Sequence, residues 1–430
     1  MDSPRGSSPF TNRDFRLLFG GSSISFIGDQ FTLVALPWLV LQLTGNPAQL
    51  GLVLAVMALP RALFMLLGGA VVDRMSPRRV LLTARGINAL LTGVLAALVL
   101  AGTIQMWMVY VLAVSIGLCT AFAYPAGGAI LPQLLAPEQL QAANSTMMGM
   151  RQISMLIGPA LAGLLVTAGS AARGGASAAS SASSAHGTGL AFVVDAVSFL
   201  FSVASLLAIR IASDRDLRAP AGGVVAQMLE GIRTLWQDTQ LRSFIAYMAL
   251  VSVLVAGPLQ VGLPLFAKTR LSEGAAGFGW LMTANAVGML LGSVVSTPVT
   301  RLMRGRVGVM VLACDCAAGL ALVAFSTVHS VLNGAALLVL TGLFAGTVQI
   351  AIMTWLQRRV PQAMMGRTMS IVMFTFLGLG PLAAALAGGL LKLVSLSELF
   401  IGAGVTLSTL ALLCLTRPSL RAIQLQTAPA

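Results

Sequence analysis

Twelve stretches of this chain are long and apolar enough to cross a bilayer, and few folds can accommodate that. A spanning α-helix needs about 20 consecutive apolar residues. The candidate spans are residues 13–42, 47–73, 80–102, 105–131, 139–169 and 189–211, then 240–268, 274–301, 306–328, 331–357, 363–391 and 397–417. Charged residues make up only 9% of the sequence, against roughly 25% in a soluble domain. Most of the helical surface must therefore face lipid or other helices. In hydrocarbon each segment has to satisfy its own backbone N–H and C=O groups, so runs of this length fold as helices. The sequence predicts an all-α polytopic membrane protein. Several spans exceed the minimum, which predicts tilt or projection beyond the membrane.

An even number of spans puts both termini on one side, and the basic residues say which. Reading alternate connections, 20 of the 26 Lys and Arg fall on one side and only Arg173, Lys268, Arg270 and Lys392 on the other. By the positive-inside rule the richer side is cytoplasmic. The remaining two, Arg61 and Arg151, lie within spans. The net charge of +13 does not point to nucleic acid, because the arginines sit at helix ends rather than in a stripe interleaved with aromatics. They read as orientation signals and contacts to anionic lipid. Arg13 and Arg16 lead into an apolar run too long for a signal-peptide core. Cys119, Cys314, Cys316 and Cys414 fall in apolar runs and read as buried thiols.

Two connections are long. Residues 170–188 are mostly Ser, Ala and Gly and predict a flexible external loop that contributes no core. Residues 212–238 are charged, with apolar residues at helical spacing from Val225 to Trp236, which predicts an amphipathic helix on the inner surface. The expected organisation is a six-helix half over 1–211, a linker over 212–239 and a second half over 240–430. Pro132, Pro137 and Gly158-Pro159 in the first half are echoed by Pro361 and Gly380-Pro381 in the second.

Between the second and third spans lies Gly68-Gly69-Ala70-Val71-Val72-Asp73-Arg74-Met75-Ser76-Pro77-Arg78-Arg79. A glycine, three residues, Asp-Arg and a basic pair closely resemble the signature loop of the Major Facilitator Superfamily, with Ser76 where that family usually has glycine. The resemblance implies twelve helices in two pseudo-symmetric halves, solute bound near the midplane between them, and alternating access. It also implies that Gly69, Asp73, Arg74, Arg78 and Arg79 form a gating loop. Phe15-Arg16-Leu17-Leu18, Gly28-Asp29, Leu36-Pro37-Trp38, Leu59-Pro60-Arg61 and the stretch Phe192–Phe199 around Asp195 resemble the branch of macrolide-efflux and enterobactin-exporter-like proteins. Ser154 to Gly163, with Gly158 and Pro159 at its centre, is similar to the fifth-helix motif of antiporters in that superfamily. It is equally a packing kink, since Pro159 removes a backbone donor and the small residues permit close helix contact.

Ionisable residues inside a bilayer are costly and are default functional candidates. Asp29, Arg61, Arg151 and Asp315 are the candidates for proton coupling; Asp195 is structural or coupling. At 1.5 Å per residue, Asp29 and Arg61 lie about 21 and 20 Å into adjacent spans, so each can offset the other's desolvation. Gln30, Asn88, Asn144, Gln152, Asn285 and Gln349 are candidate polar groups lining a solute cavity, with Trp38 and Trp355 as stacking surface. Enzyme chemistry finds little support. His186 and His329 read as external-loop residues, no cluster has metal-ligand spacing, and no Gly-rich loop ends in Lys-Ser or Lys-Thr to cradle a nucleotide. No cofactor is expected. The expected function is efflux of an amphipathic organic solute, a drug or a siderophore-like metabolite, across a bacterial inner membrane by proton antiport. Its partners are the solute, protons and lipid, with the protein acting as a monomer. A proton-coupled importer is the alternative, and a non-transporting receptor or scaffold is a more distant one.

Overall fold

The computed structural model describes residues 8–74, 76–171, 181–210, 239–359, 378–416, 421 and 423–424. Its helices begin and end where local chemistry dictates. The Asn12 side chain accepts from Asp14 N at 2.8 Å and Phe15 N at 3.2 Å, which starts α1 (Arg13–Thr44) on a capped turn. Gly45 ends it in the left-handed conformation, φ 62°, which costs a glycine little. There follow α2 (Pro47–Arg74), α3 (Pro77–Leu100), α4 (Met106–Ala129), the single turn α5 (Leu131–Leu134), α6 (Pro137–Ala171) and α7 (Ser181–Ala208). Pro77 and Pro137 each occupy the first helical position, where a missing N–H costs nothing.

After the gap, α8 (Thr239–Gly257) passes through a π turn at Pro258–Gly262 into α9 (Leu263–Arg270). Then come α10 (Gly274–Leu302), α11 (Val307–Phe325), α12 (Val331–Arg359), α13 (Gly378–Leu390) and α14 (Leu396–Leu415). Ser395 and Glu398 close a capping box at the start of α14. Among the described residues ten helical segments are long and apolar enough to span a membrane, and two shorter apolar ones, Pro47–Arg61 and Gly378–Leu390, bring the number to twelve. The chain is an all-α, twelve-helix membrane protein.

Contacts group the chain into two units, Met1–Gly45 with Val56–Ala221, and Asn46–Ala55 with Gly222–Ala430. The first turns of α2 therefore belong with the second unit and the remainder with the first. In the first unit α1 packs on α6 and α7, and α3 on α4 and α7. Glycines permit close contacts: a Cβ on Gly21 would strike Ser205 and one on Gly28 would strike Ser198, between α1 and α7, while one on Gly117 of α4 would strike the Met57 carbonyl of α2. One end of the unit is tied by polar bonds. Arg78 donates to the Leu206 and Leu207 carbonyls at 2.9 and 3.1 Å, closing the last turn of α7, while Asn12 reaches the Leu134 carbonyl at 2.8 Å. Phe15, Leu18, Val80, Leu81, Ile130 and Leu206 form an apolar core at the same end.

In the second unit α10 and α12 interlock through Gly288 and Gly292 on one side and Gly342 and Gly346 on the other. A Cβ at any of the four would meet opposing main chain. Gly319 and Gly404 do the same for α11 and α14. Close backbone approach through small residues is how helices associate without a hydrophobic drive between them. The core of this unit gathers Phe244, Tyr247, Met310, Ile352, Trp355 and Leu356, and Ile423 beyond α14 is buried in it. The first turns of α2 lie on α13, where a Cβ on Gly51 would meet the Ala384 carbonyl.

Two expectations need correction. The Ser/Ala/Gly stretch is not a loop throughout: α6 continues to Ala171 and α7 begins at Ser181. His186 is therefore a helical residue, half-buried on α7. Ser and Ala tolerate a helix that tertiary packing extends, as Gly187 and Gly189 do here against Gly169 and Leu100. Residues 172–180, the amphipathic segment from Val225 to Trp236, and the second-half counterpart near Pro361 lie outside the described residues.

Candidate functional site

The first unit contains a cavity of about 320 Å³. Its walls come from helical faces that the 3–4 residue periodicity sets in advance. Leu18, Ser22, Phe26 and Asp29 descend one side of α1; Leu81, Arg85 and Asn88 lie on α3; Thr120, Tyr124 and Gly127 on α4; Asn144, Met147, Met148 and Arg151 on α6; Phe199 on α7. These positions fall in the starts of α1, α3 and α6 and the ends of α4 and α7. The cavity therefore lies toward the end of the unit where Arg78 and Asn12 make their bonds.

Asp29 is the acidic residue in this lining. Arg85, Arg151 and Arg61 are near enough to act on it. The guanidiniums of Arg85 and Arg151 are held by neighbours. Arg85 donates from Nη1 to Ser25 Oγ on α1 and lies 5.3 Å from the centre of the Phe199 ring. Arg151 donates to Tyr124 Oη at 3.0 Å and lies between the Phe26 and Tyr124 rings, 5.0 and 5.1 Å from their centres. Aromatic faces attract guanidinium groups, so these cations are positioned without using all their N–H donors. Arg61, on α2, lies within electrostatic reach of Asp29.

Of the groups the sequence singled out, Asp29, Arg61 and Arg151 are thus brought together. Arg85 joins them in the cavity lining; sequence reasoning counted it among the orientation charges because it falls near the start of the third span. Asp195 is 2% exposed and accepts from Thr32 Oγ1 on α1 at 2.5 Å, one turn beyond Asp29, whose charge it feels. Asp315 belongs to the second unit. It is 7% exposed and accepts from the Tyr247 hydroxyl at 2.8 Å.

Among the candidate solute contacts, Asn88 and Asn144 line the cavity. Gln30 instead packs against Gly158, seating α1 on α6. Trp38 and Gln152 are half-buried and outside that lining. Asn285 donates to the Leu338 carbonyl at 3.5 Å, tying α10 to α12, and Gln349 is exposed. Trp355 is a core residue, 3% exposed and 5.1 Å from Phe244, so its ring offers no free face to a solute. In the antiporter-like stretch Ser154, Gly158, Pro159 and Gly163 are all buried, and Ser154 Oγ donates back to the Met150 carbonyl at 2.9 Å. Gly69, Asp73 and Arg74 lie in the last turns of α2, where side chains are outside the described residues. Arg79 is exposed.

Known proteins resemble this chain along nearly its whole length. The multidrug efflux pump Tap of Mycolicibacterium fortuitum is 27% identical over 413 residues, 94% of this chain and 95% of that protein. Macrolide efflux protein A of Streptococcus pyogenes is 28% identical over 151 residues, 35% of this chain and 37% of that protein. Among solved structures, the nucleoside transporter NupG superposes with a TM-score of 0.72 at 15% identity, covering 94% of this chain and 98% of that one. A bacterial homologue of the iron transporter ferroportin gives 0.68 at 18% identity over 94% and 99%. At such identities the structures speak for the fold alone. The sequence model of the family itself matches residues 18–385: the chain belongs to the Major Facilitator Superfamily.

Proposed function

We propose that this protein exports an amphipathic organic solute across a bacterial inner membrane, by alternating access and in exchange for protons. It is read as a monomeric transporter, not an enzyme, with both termini cytoplasmic as the arginine distribution implies. The observation that carries this reading is the similarity over 94% of the chain to a protein named a multidrug efflux pump. The cavity of the first unit supports it chemically. Phe26, Met147, Met148 and Phe199 supply apolar and adaptable surface, while Asp29 supplies a carboxylate that can hold either a proton or a solute hydroxyl. Competition between the two for one group is what exchange requires: a proton taken up from outside displaces the solute, and its release inside restores the acceptor. Drug and siderophore-like metabolite remain alternatives within this class.

The test compares cells with and without the protein for intracellular accumulation of organic solutes, by metabolite profiling and by exposure to a panel of antibacterial compounds. Lower accumulation that returns to control levels when the proton gradient is collapsed is expected. Energised accumulation of a solute from the medium would instead establish import, and no difference in any solute would leave a receptor or scaffold.

A further inference from the structure

The polar groups of the first unit's cavity are unbalanced, and the imbalance bears on what can occupy it. Among the described residues, two guanidiniums, Arg85 and Arg151, share the lining with one carboxylate, Asp29. Adding the neighbours that act on Asp29, three arginines stand against Asp29 and Asp195. Either way the described cluster holds one positive charge in excess when all groups are ionised. An organic ammonium placed there meets net repulsion in a setting where charges are weakly screened.

Hydrogen-bonding capacity is also left over. Arg85 Nε is buried with no partner among the described residues, and so is Asn88 Oδ1 on a side chain only 3% exposed. Buried polar groups without partners are costly, and both side chains line the cavity. The arginines offer donors only, whereas Asn88 and Asp29 accept.

We infer that this cavity binds a non-cationic amphiphile whose polar end clusters acceptor oxygens (carboxylate, carbonyl or phenolate) beside a hydroxyl, on an aromatic or alicyclic frame. The acceptor oxygens take the free N–H groups of Arg85 and Arg151. The hydroxyl donates to Asn88 or to ionised Asp29, and the frame lies among Phe26, Phe199 and the methionines. Organic cations are excluded by charge. The inference rests on reading this cavity as a solute site and deepens the proposed function by naming the solute's chemistry.

The test uses the full-length protein in nanodiscs of zwitterionic lipid, with empty discs as the blank, and calorimetric titration of two probes sharing a naphthalene frame. These are 3-hydroxy-2-naphthoate and 2-naphthylmethylammonium. The wild-type protein should bind the hydroxynaphthoate saturably and at least about tenfold more tightly than the ammonium, as expected from hydrogen bonds to charged groups. Arg85→Gln should weaken the hydroxynaphthoate by about tenfold, with Arg85→Lys intermediate because it keeps the charge without the planar fork. Ammonium binding equal to or tighter than hydroxynaphthoate binding, or no saturable hydroxynaphthoate binding, overturns the inference on wild-type protein alone. Unchanged hydroxynaphthoate affinity in both Arg85→Gln and Arg151→Gln also overturns it. Failure here is separable from failure of the export reading: a pump that lowers cellular accumulation of ammonium drugs keeps the function and loses this chemistry.

Discussion

Arg85 on α3 donates to Ser25 Oγ on α1, four residues before Asp29. The bond fixes a guanidinium in the same cavity lining as Asp29, the one carboxylate there among the described residues. A structural charge of this kind and a working one differ in what their removal does. Arg85→Gln should insert normally yet reduce efflux about tenfold or more, while Ser25→Ala, which removes only the tether, should cost less. Solute accumulation in cells at matched membrane levels measures both. Full efflux by Arg85→Gln would return Arg85 to the role of an orientation charge.

The fold was legible in the sequence where hydrophobicity alone decides it. Among the described residues the span ends fall within a few residues of their expected positions, except α7, whose Ser181–Thr188 start is too small and mixed for apolar-run reasoning to recognise; the start of the span expected at 363–391 lies outside them. The site was legible in part. Asp29, Arg61 and Arg151 stand out because charge inside an apolar run is conspicuous. Arg85 does not, since a cation near a span's end is what topology already requires. Trp355 reads as stacking surface for a solute because an indole among polar candidates looks like a ligand contact in sequence, and only packing on Phe244 shows it to be core.

Thr32→Val leaves the buried Asp195 carboxylate without its interhelical donor. The expected cost is about 1–2 kcal/mol for a hydrogen bond between membrane helices, read as a lower melting temperature of the purified protein. Asp195→Asn keeps an acceptor for Thr32 and should melt closer to wild type. If the Thr32 variant melts at the wild-type temperature, the pair does not hold α1 to α7.

In the second unit the same logic applies to Tyr247 and Asp315. Tyr247→Phe strands a carboxylate that is 7% exposed, an unsatisfied group worth about 1–3 kcal/mol, while Asp315→Asn can still accept from the hydroxyl. Thermal unfolding should therefore rank wild type first, Asp315→Asn next and Tyr247→Phe last. The reverse order would show that the bond contributes nothing and that Asp315 matters for its charge.

The glycine contacts predict where bulk is forbidden. Gly292→Val on α10 forces a side chain into the Leu343 main chain of α12, and no rotamer avoids a clash that begins at Cβ. Folded protein recovered in detergent should fall several-fold, whereas Gly149→Val, with nothing within 4 Å of its Cβ, should be recovered as wild type. Equal recovery of the two variants would mean that α10 and α12 separate at little cost.

The central claim is that export is driven by proton exchange at Asp29. It is tested most directly in proteoliposomes holding purified protein, an exported solute and an imposed pH gradient. The wild-type protein should move the solute against its concentration gradient, toward the more acidic compartment. Asp29→Asn should lose that uphill movement and keep some downhill exchange, because the amide still hydrogen-bonds a solute but carries no proton. An Asp29→Asn protein that builds the same solute gradient from the same pH gradient would contradict the account.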